Sequence, residues 1–240
     1  MEFLKKLFKR EPANEIYLAS INLPYDFLIC RGEEASGLLH TMRKQEGITP
    51  VIMGNPAELE LLIENLELSE QSVTDIIESA DSIQFPDWFI TRADSDPEYY
   101  QAPHGEWPQD DLGDSELSAH KNVLTRRPLK QVLIGKVPTE TSWQVPAYLK
   151  LGGWNECPLP HEHVALFRKW AEEYSAQVAC VTSDVIEFTV ERPPTDRERA
   201  IKLAEEQFLY CSDIVYQGAE TIENLASLLM NSKVWYFWWD

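Results

Sequence analysis

The sequence predicts an α+β fold, on three observations. The run Val234-Trp235-Tyr236-Phe237-Trp238-Trp239-Asp240 concentrates five aromatic rings in seven positions. So apolar a segment invites aggregation unless it is paired and covered, so it reads as a final strand buried inside a sheet, with Asp240 emerging at its end. Two short apolar runs, Phe27–Cys30 and residues 50–54, flank a helical pattern, the strand–helix–strand order that generates parallel pairing. A strongly periodic helical segment, Pro160–Tyr174, then leads into two strand-like runs split by Ser183-Asp184.

The elements follow in order. Leu38, Leu39 and Met42 share one face of a helix over residues 33–46, which Gly47 ends. Asn55 as N-cap, Pro56 at the first helical position and Glu58 in the first turn open a helix carrying Leu59, Leu62, Ile63 and Leu66. Residues 69–80 supply another, and residues 13–92 together read as an N-terminal α/β lobe. Residues 93–119 hold eight acidic residues, three prolines and neither Lys nor Arg, so 93–127 is expected to be an acidic linker or loop.

A C-terminal α+β domain over residues 128–240 opens with a strand at 131–137 and an edge strand interrupted by Pro146. On the 160–174 helix, Val164, Leu166 or Phe167, Trp170 and Ala171 recur every three or four residues. Residues 177–182 and Val185–Val190 form a hairpin, which Pro193-Pro194 stops. Thr195-Asp196-Arg197-Glu198 reads as a capping box for a helix that turns Ala200, Ile201, Ala204, Phe208 and Cys211 inward. A short strand at 214–216 and a helix carrying Ile222, Leu225, Leu228 and Leu229 precede the aromatic strand. The order resembles a ferredoxin-like βαββαβ sandwich with an added helix and C-terminal strand.

The formal charge of −19 argues against a nucleic-acid partner, because phosphate binding needs clustered Lys and Arg. The same field favours a basic protein partner. No run approaches the roughly 20 apolar residues of a membrane span. Residues 1–12 form a basic amphipathic segment, with Phe3, Leu4, Leu7 and Phe8 beside Lys5, Lys6, Lys9 and Arg10. Peripheral membrane contact through residues 1–10 is its functional reading, and packing on the protein its structural one. Cys30, Cys157, Cys180 and Cys211 lack a framework spacing and follow no secretory signal, which points to free thiols in a cytoplasmic protein.

Several strings combine distinctively: Gly152-Gly153-Trp154-Asn155-Glu156-Cys157-Pro158, Trp170 to Ala176, Arg192-Pro193-Pro194, Tyr210-Cys211-Ser212-Asp213-Ile214-Val215, and the closing Trp235 to Asp240. Over roughly residues 132–240 the chain resembles the bacterial domain-of-unknown-function family numbered 4253. The resemblance implies a bacterial origin and brings no catalytic residues with it.

The carboxylates and tryptophans define a candidate cleft of Trp154, Asn155, Trp170, Glu187, Glu205, Glu206, Asp213, Trp238 and Asp240. Carboxylates against aromatic walls suit acid/base work or a hard cation such as Mg or Ca. The same groups serve equally as helix caps and turn residues. Cys157, His161 and His163 are candidate zinc ligands, against the alternative of a water-exposed histidine pair at a helix start. Cys211 beside Asp213 is expected to be a buried, inert thiol. Trp107 and Trp143 lie outside the expected core, where an exposed indole can anchor a partner. Gly-x-Ser-x-Gly, phosphate-cradling and His-Glu-x-x-His motifs do not occur, and no cofactor follows. The leading expectation is a non-enzymatic protein-interaction module with an immunity or toxin-neutralising role, by analogy with small acidic antitoxins. The alternative is an enzyme or a small-ligand or metal-binding protein that uses the cleft.

Overall fold

The computed structural model describes residues 23–109 and 116–240. The amphipathic segment expected over residues 1–12 lies outside the described residues, as do residues 13–22 of the expected lobe and 110–115 of the acidic stretch. The α+β class holds. Strands β1 (Phe27–Cys30), β2 (Thr49–Ile52), β3 (Val132–Val137), β4 (Ala176–Val181), β5 (Val185–Val190) and β6 (Val234–Trp238) form one sheet in the order β1-β3-β2-β4-β5-β6. Neighbours are antiparallel except β2 and β4.

Helix α1 (Gly32–Met42) joins β1 to β2, but β3, from beyond the acidic stretch, inserts between them. Gly135 sits opposite Phe27 on one side and Val51 on the other, and a Cβ there would lie 2.6 Å from Met53 Cε. The missing side chain lets β3 pass beneath Met53. A ferredoxin-like arrangement would set its first strand beside its third, here β3 beside β5, and this order does not do so. Here β2 fills the place between β3 and β4, and β6 pairs with β5.

β6 is therefore an edge strand, not an interior one. Its aromatic run is accommodated by the two-residue period of a strand: Trp235, Phe237 and the following Trp239 are 1%, 0% and 3% exposed, whereas Tyr236 is 43% exposed. Helices α6 (Pro160–Tyr174) and α7 (Arg197–Tyr210) cover the inward rings. Trp170 stacks on Phe237 at 5.5 Å with 4° between the planes, and Tyr210 meets Phe237 edge-on at 4.8 Å. Tyr210 also meets Trp239 edge-on at 5.3 Å.

On the opposite face, Ala35, Leu39 and Met42 of α1 pack on Ile52, Val132, Ile134, Ala179 and Cys180. Leu117, Ala119 and Leu129, from the chain that leads into β3, close this smaller core. Other helices are α2 (Glu60–Leu68), α3 (Val73–Ala80), α4 (Asp87–Ser95), α5 (Val145–Leu149) and α8 (Ile222–Leu229). Four local expectations change. The edge strand at Pro146 is helix α5, because proline in a first helical turn gives up no needed donor. Residues 214–216 are helical, with the Ser212 carbonyl accepting from the Val215 and Tyr216 amides. Asp196, not Thr195, caps α7, its Oδ1 accepting from the Arg199 amide at 3.0 Å. The acidic stretch begins inside α4 and is tied down at several points: Tyr100 is buried, and the Pro103 carbonyl accepts from the Ile222 amide at 2.9 Å. Among the described residues no helix is long and apolar enough to cross a membrane.

Candidate functional site

The structure distributes the candidate cleft residues over several separate places. Trp170 is core. Glu206 lies on the flank of α7 and bonds Lys169 Nζ at 2.7 Å, while its neighbour Glu205 is exposed. Asn155, Asp213 and Asp240 do converge: the Asn155 side-chain amide donates to the Asp240 carbonyl, and the Asp240 amide donates to Asp213 Oδ2 at 3.1 Å. Trp154 is half-buried against the main core. Trp238 borders β5, its indole N–H donating to Asp184 Oδ2 at 3.2 Å. The Asn155, Asp213 and Asp240 contacts fasten the end of β6 to the loop before α6 and the turn after α7. Their chemistry is that of caps.

Glu187 is the exceptional member. It sits on the face of β5 opposite the aromatic core, 0% exposed, in register with Cys180 on β4 and Tyr236 on β6. A buried carboxylate is tolerated only with donors around it, and these come from the chain ahead of β3. Ser118 gives its amide (2.7 Å) and hydroxyl (2.6 Å) to Oε1, and Ala119 gives its amide to Oε2 at 3.1 Å. Cys180 lies opposite Glu187 in the ladder, and burial first, then the Glu187 charge, push its thiol well up. Glu187 therefore works as a clamp that holds residues 116–120 onto the sheet. His120 beside it is buried, its Nδ1 lacking a hydrogen-bond partner among the described residues.

The zinc candidates separate. Cys157 and His163 meet, with Sγ 3.4 Å from Nε2, but His161 lies only half-buried at the helix start and does not join them. Among the described residues no group of three or more His, Cys, Asp or Glu is placed to hold a metal ion. The third member of the buried set is Tyr210, whose hydroxyl lies 2.8 Å from His163 Nδ1. Burial pulls the His163 imidazolium down to about 3 and pushes the Cys157 thiol up. Both groups are thus neutral near pH 7, and the proton stays on sulfur, the opposite of an activated thiolate–imidazolium pair. Cys211, pushed up to about 12 by burial, donates its thiol to the Trp238 carbonyl at 3.0 Å.

Residues 133–240 match the family model described as Domain of unknown function (DUF4253). The match covers the C-terminal part of the chain, from the second residue of β3 to Asp240. Comparison with curated proteins returns no match, and neither does comparison with solved structures. The DUF4253 segment contains the aromatic core, Glu187, and the Cys157, His163 and Tyr210 set, while β1, α1, β2 and the Ser118 donors precede it.

Outside the DUF4253 segment, β1 is the other edge of the sheet among the described residues. The Lys136 amide donates to the Asp26 carbonyl at 2.7 Å. The alternation of an antiparallel ladder then points the amides and carbonyls of Phe27 and Ile29 away from β3. Beside this edge runs a groove of about 580 Å³, lined by Leu28, Ile29 and Cys30 from β1 and by Glu34, Gly37 and Leu38 from α1. Gly37 is the residue that sequence reasoning passed over. It occupies a helix interior, where glycine is less stable than alanine by about 0.5–1 kcal/mol, and a Cβ there would meet nothing within 4 Å. The proposed aromatic anchors are less free: Trp107 lies under the Arg197 guanidinium at 4.5 Å and Trp143 under that of Arg168 at 5.3 Å.

Glu187→Gln places an amide N–H₂ among donors and should lower stability by about 2–4 kcal/mol, given that charge-assisted bonds contribute roughly 1.5–3 kcal/mol each. Amide exchange at Ser118 and Ala119 should accelerate with it; an unchanged melting temperature would contradict the clamp. His163 has its folded pKa depressed from an ordinary value of 6.5 to about 3. The unfolded chain therefore binds the extra proton between those values, and stability falls as pH drops below about 6.5, by at most about 1.4 kcal/mol per pH unit. Urea titrations of His163→Gln should show a shallower acid limb than the parent chain.

Proposed function

We propose that this protein is a non-enzymatic interaction module that receives an extended segment of a basic protein partner along the free edge of β1. The observation that carries the reading is Gly37: it lines one groove with Leu28, Ile29 and Cys30 of the edge strand, and it puts no side chain into that groove. Addition of a strand supplies main-chain hydrogen bonds, and side chains of alternate residues enter the neighbouring groove. Leu28, Leu38 and the Gly37 notch offer apolar contact, while Glu34 in the wall and Asp26 and Glu33 nearby favour Lys or Arg flanking the apolar positions. The chain's net charge of −19 would steer such a partner from a distance. Neutralisation of a basic toxin is the specific role that this surface would suit.

An acid/base or cation-binding use of the carboxylates has less support, because Glu187, the Asp213 and Asp240 pair, and Glu206 are engaged in separate places by different partners.

The test uses the full chain and a synthetic ten-residue peptide of alternating Val and Thr flanked by Lys, with a Glu-flanked control. The Lys-flanked peptide should protect the Phe27 and Ile29 amides from exchange. Gly37→Leu should abolish that protection while raising the melting temperature. Equal protection by both peptides, or binding that survives Gly37→Leu, would overturn the reading. So would faster Phe27 and Ile29 exchange on deletion of residues 1–22, which would make the chain's own N-terminal segment the occupant.

A further inference from the structure

At the end of the sheet where β5 stops and β6 begins, a groove of about 510 Å³ is lined by Arg192, Arg199, Lys233, Thr195, Glu173 and Glu191. Three cations meet in this groove. Acidic residues outnumber basic ones 40 to 21 in this chain, and Arg92, Lys121, Arg168 and Lys169 each pair with a carboxylate. Arg192, Arg199 and Lys233 make no such pair among the described residues, although they share one groove.

Their positions are set by the fold. Arg192 lies two residues beyond the end of β5 and donates Nε to Ser175 Oγ at 2.9 Å and Nη2 to the Glu172 carbonyl at 2.6 Å. Its guanidinium is thereby held at the C-terminal end of α6, with Nη1 uncommitted among the described residues. Lys233 directly precedes β6 and donates Nζ to the Glu191 carbonyl at 2.7 Å, leaving two of its three protons for another acceptor. Arg199 stands in the first turn of α7, its guanidinium 6.0 Å from the centre of the Tyr174 ring. A bond from the Asn231 amide to the Pro194 carbonyl, 2.9 Å, ties the two chain segments that carry these groups.

We infer that this groove binds the phosphate monoester of a small polyhydroxylated molecule. Three cations in one groove suit a doubly charged tetrahedral oxyanion, to which Arg199 can present a planar fork and Arg192 its Nη1. The volume exceeds what a lone phosphate fills and falls within the usual range for small-molecule sites. Glu173 and Glu191 repel a bare anion but can accept from hydroxyl groups, so they select for a ligand that carries donors beyond its phosphate. The net charge of the whole chain does not forbid this, because exposed charges more than about 8 Å away are largely screened at physiological ionic strength.

Titration calorimetry on the full chain with glucose 6-phosphate, inorganic phosphate and glucose tests the inference. Glucose 6-phosphate should bind at least tenfold more tightly than inorganic phosphate, and glucose should not bind. The double variant Arg199→Gln/Lys233→Gln gives up the Lys233 bond to the Glu191 carbonyl and the Arg199 contact with Tyr174, so it should lower the melting temperature slightly, stay folded, and weaken glucose 6-phosphate at least tenfold. Absence of binding by both phosphates, or affinity unchanged in the double variant, would overturn the site. A phosphoserine peptide that bound more tightly than glucose 6-phosphate would overturn the small-molecule assignment.

Discussion

One contact organises this molecule: the stack of Trp170 on Phe237, boxed by Trp235, Tyr210 and Trp239. It joins α6, α7 and β6 in a single aromatic seam, so the last strand is held by ring packing as much as by its ladder to β5. Each large aromatic side chain removes roughly 150–250 Å² from water, and edge-to-face pairs add to that burial. An edge strand would ordinarily be the weakest part of a sheet. Here it is among the most firmly covered on one face, and its other face is left to Tyr236 and the Glu187 clamp.

The sheet is mixed because its strands come from both sides of the acidic stretch. β3 crosses back to lie between β1 and β2, and the chain that precedes it passes over the second face. That passage needs an anchor, which Glu187 supplies from β5 through the Ser118 and Ala119 amides. The buried polar groups are accordingly structural: a neutral His163 between Tyr210 and Cys157, thiols raised by burial, and carboxylates filled by backbone donors. What remains available lies at two rims. At one, β1 and α1 flank an apolar groove notched by Gly37; at the other, three cations meet beyond the ends of β5 and β6. The second is a local reversal of sign in a strongly acidic chain, and both arise where the ladder runs out.

Periodicity conveyed most of the elements. The closing aromatic run as a strand, the three-and-four spacing around Trp170, and the Ser183-Asp184 turn each reported an element that the fold retains. Strand order was beyond its reach, because nothing local to β3 states that it pairs with two strands about eighty to one hundred residues earlier in the chain; only Gly135, small enough to pass Met53, hints at the crowding there. The 214–216 stretch misled because its branched residues suit a strand, while the Ser212 carbonyl gathers their amides into a helical turn. The carboxylates were recognisable as unusual, yet spacing alone could not separate Glu187, facing away from the aromatic core, from Asp213 and Asp240 at its margin. Arg192, Arg199 and Lys233 stand apart in sequence and become a group only when β5, α7 and β6 are placed together.

The seam is tested most directly by comparing Phe237→Ala with Tyr236→Ala in urea unfolding of the full chain. Neighbouring residues of one strand then report opposite faces. The account predicts a loss of about 3–5 kcal/mol for Phe237→Ala, the range for removing a buried aromatic ring, and well under half of that for Tyr236→Ala. Equal losses, or a Phe237→Ala protein with an unchanged midpoint, would contradict it.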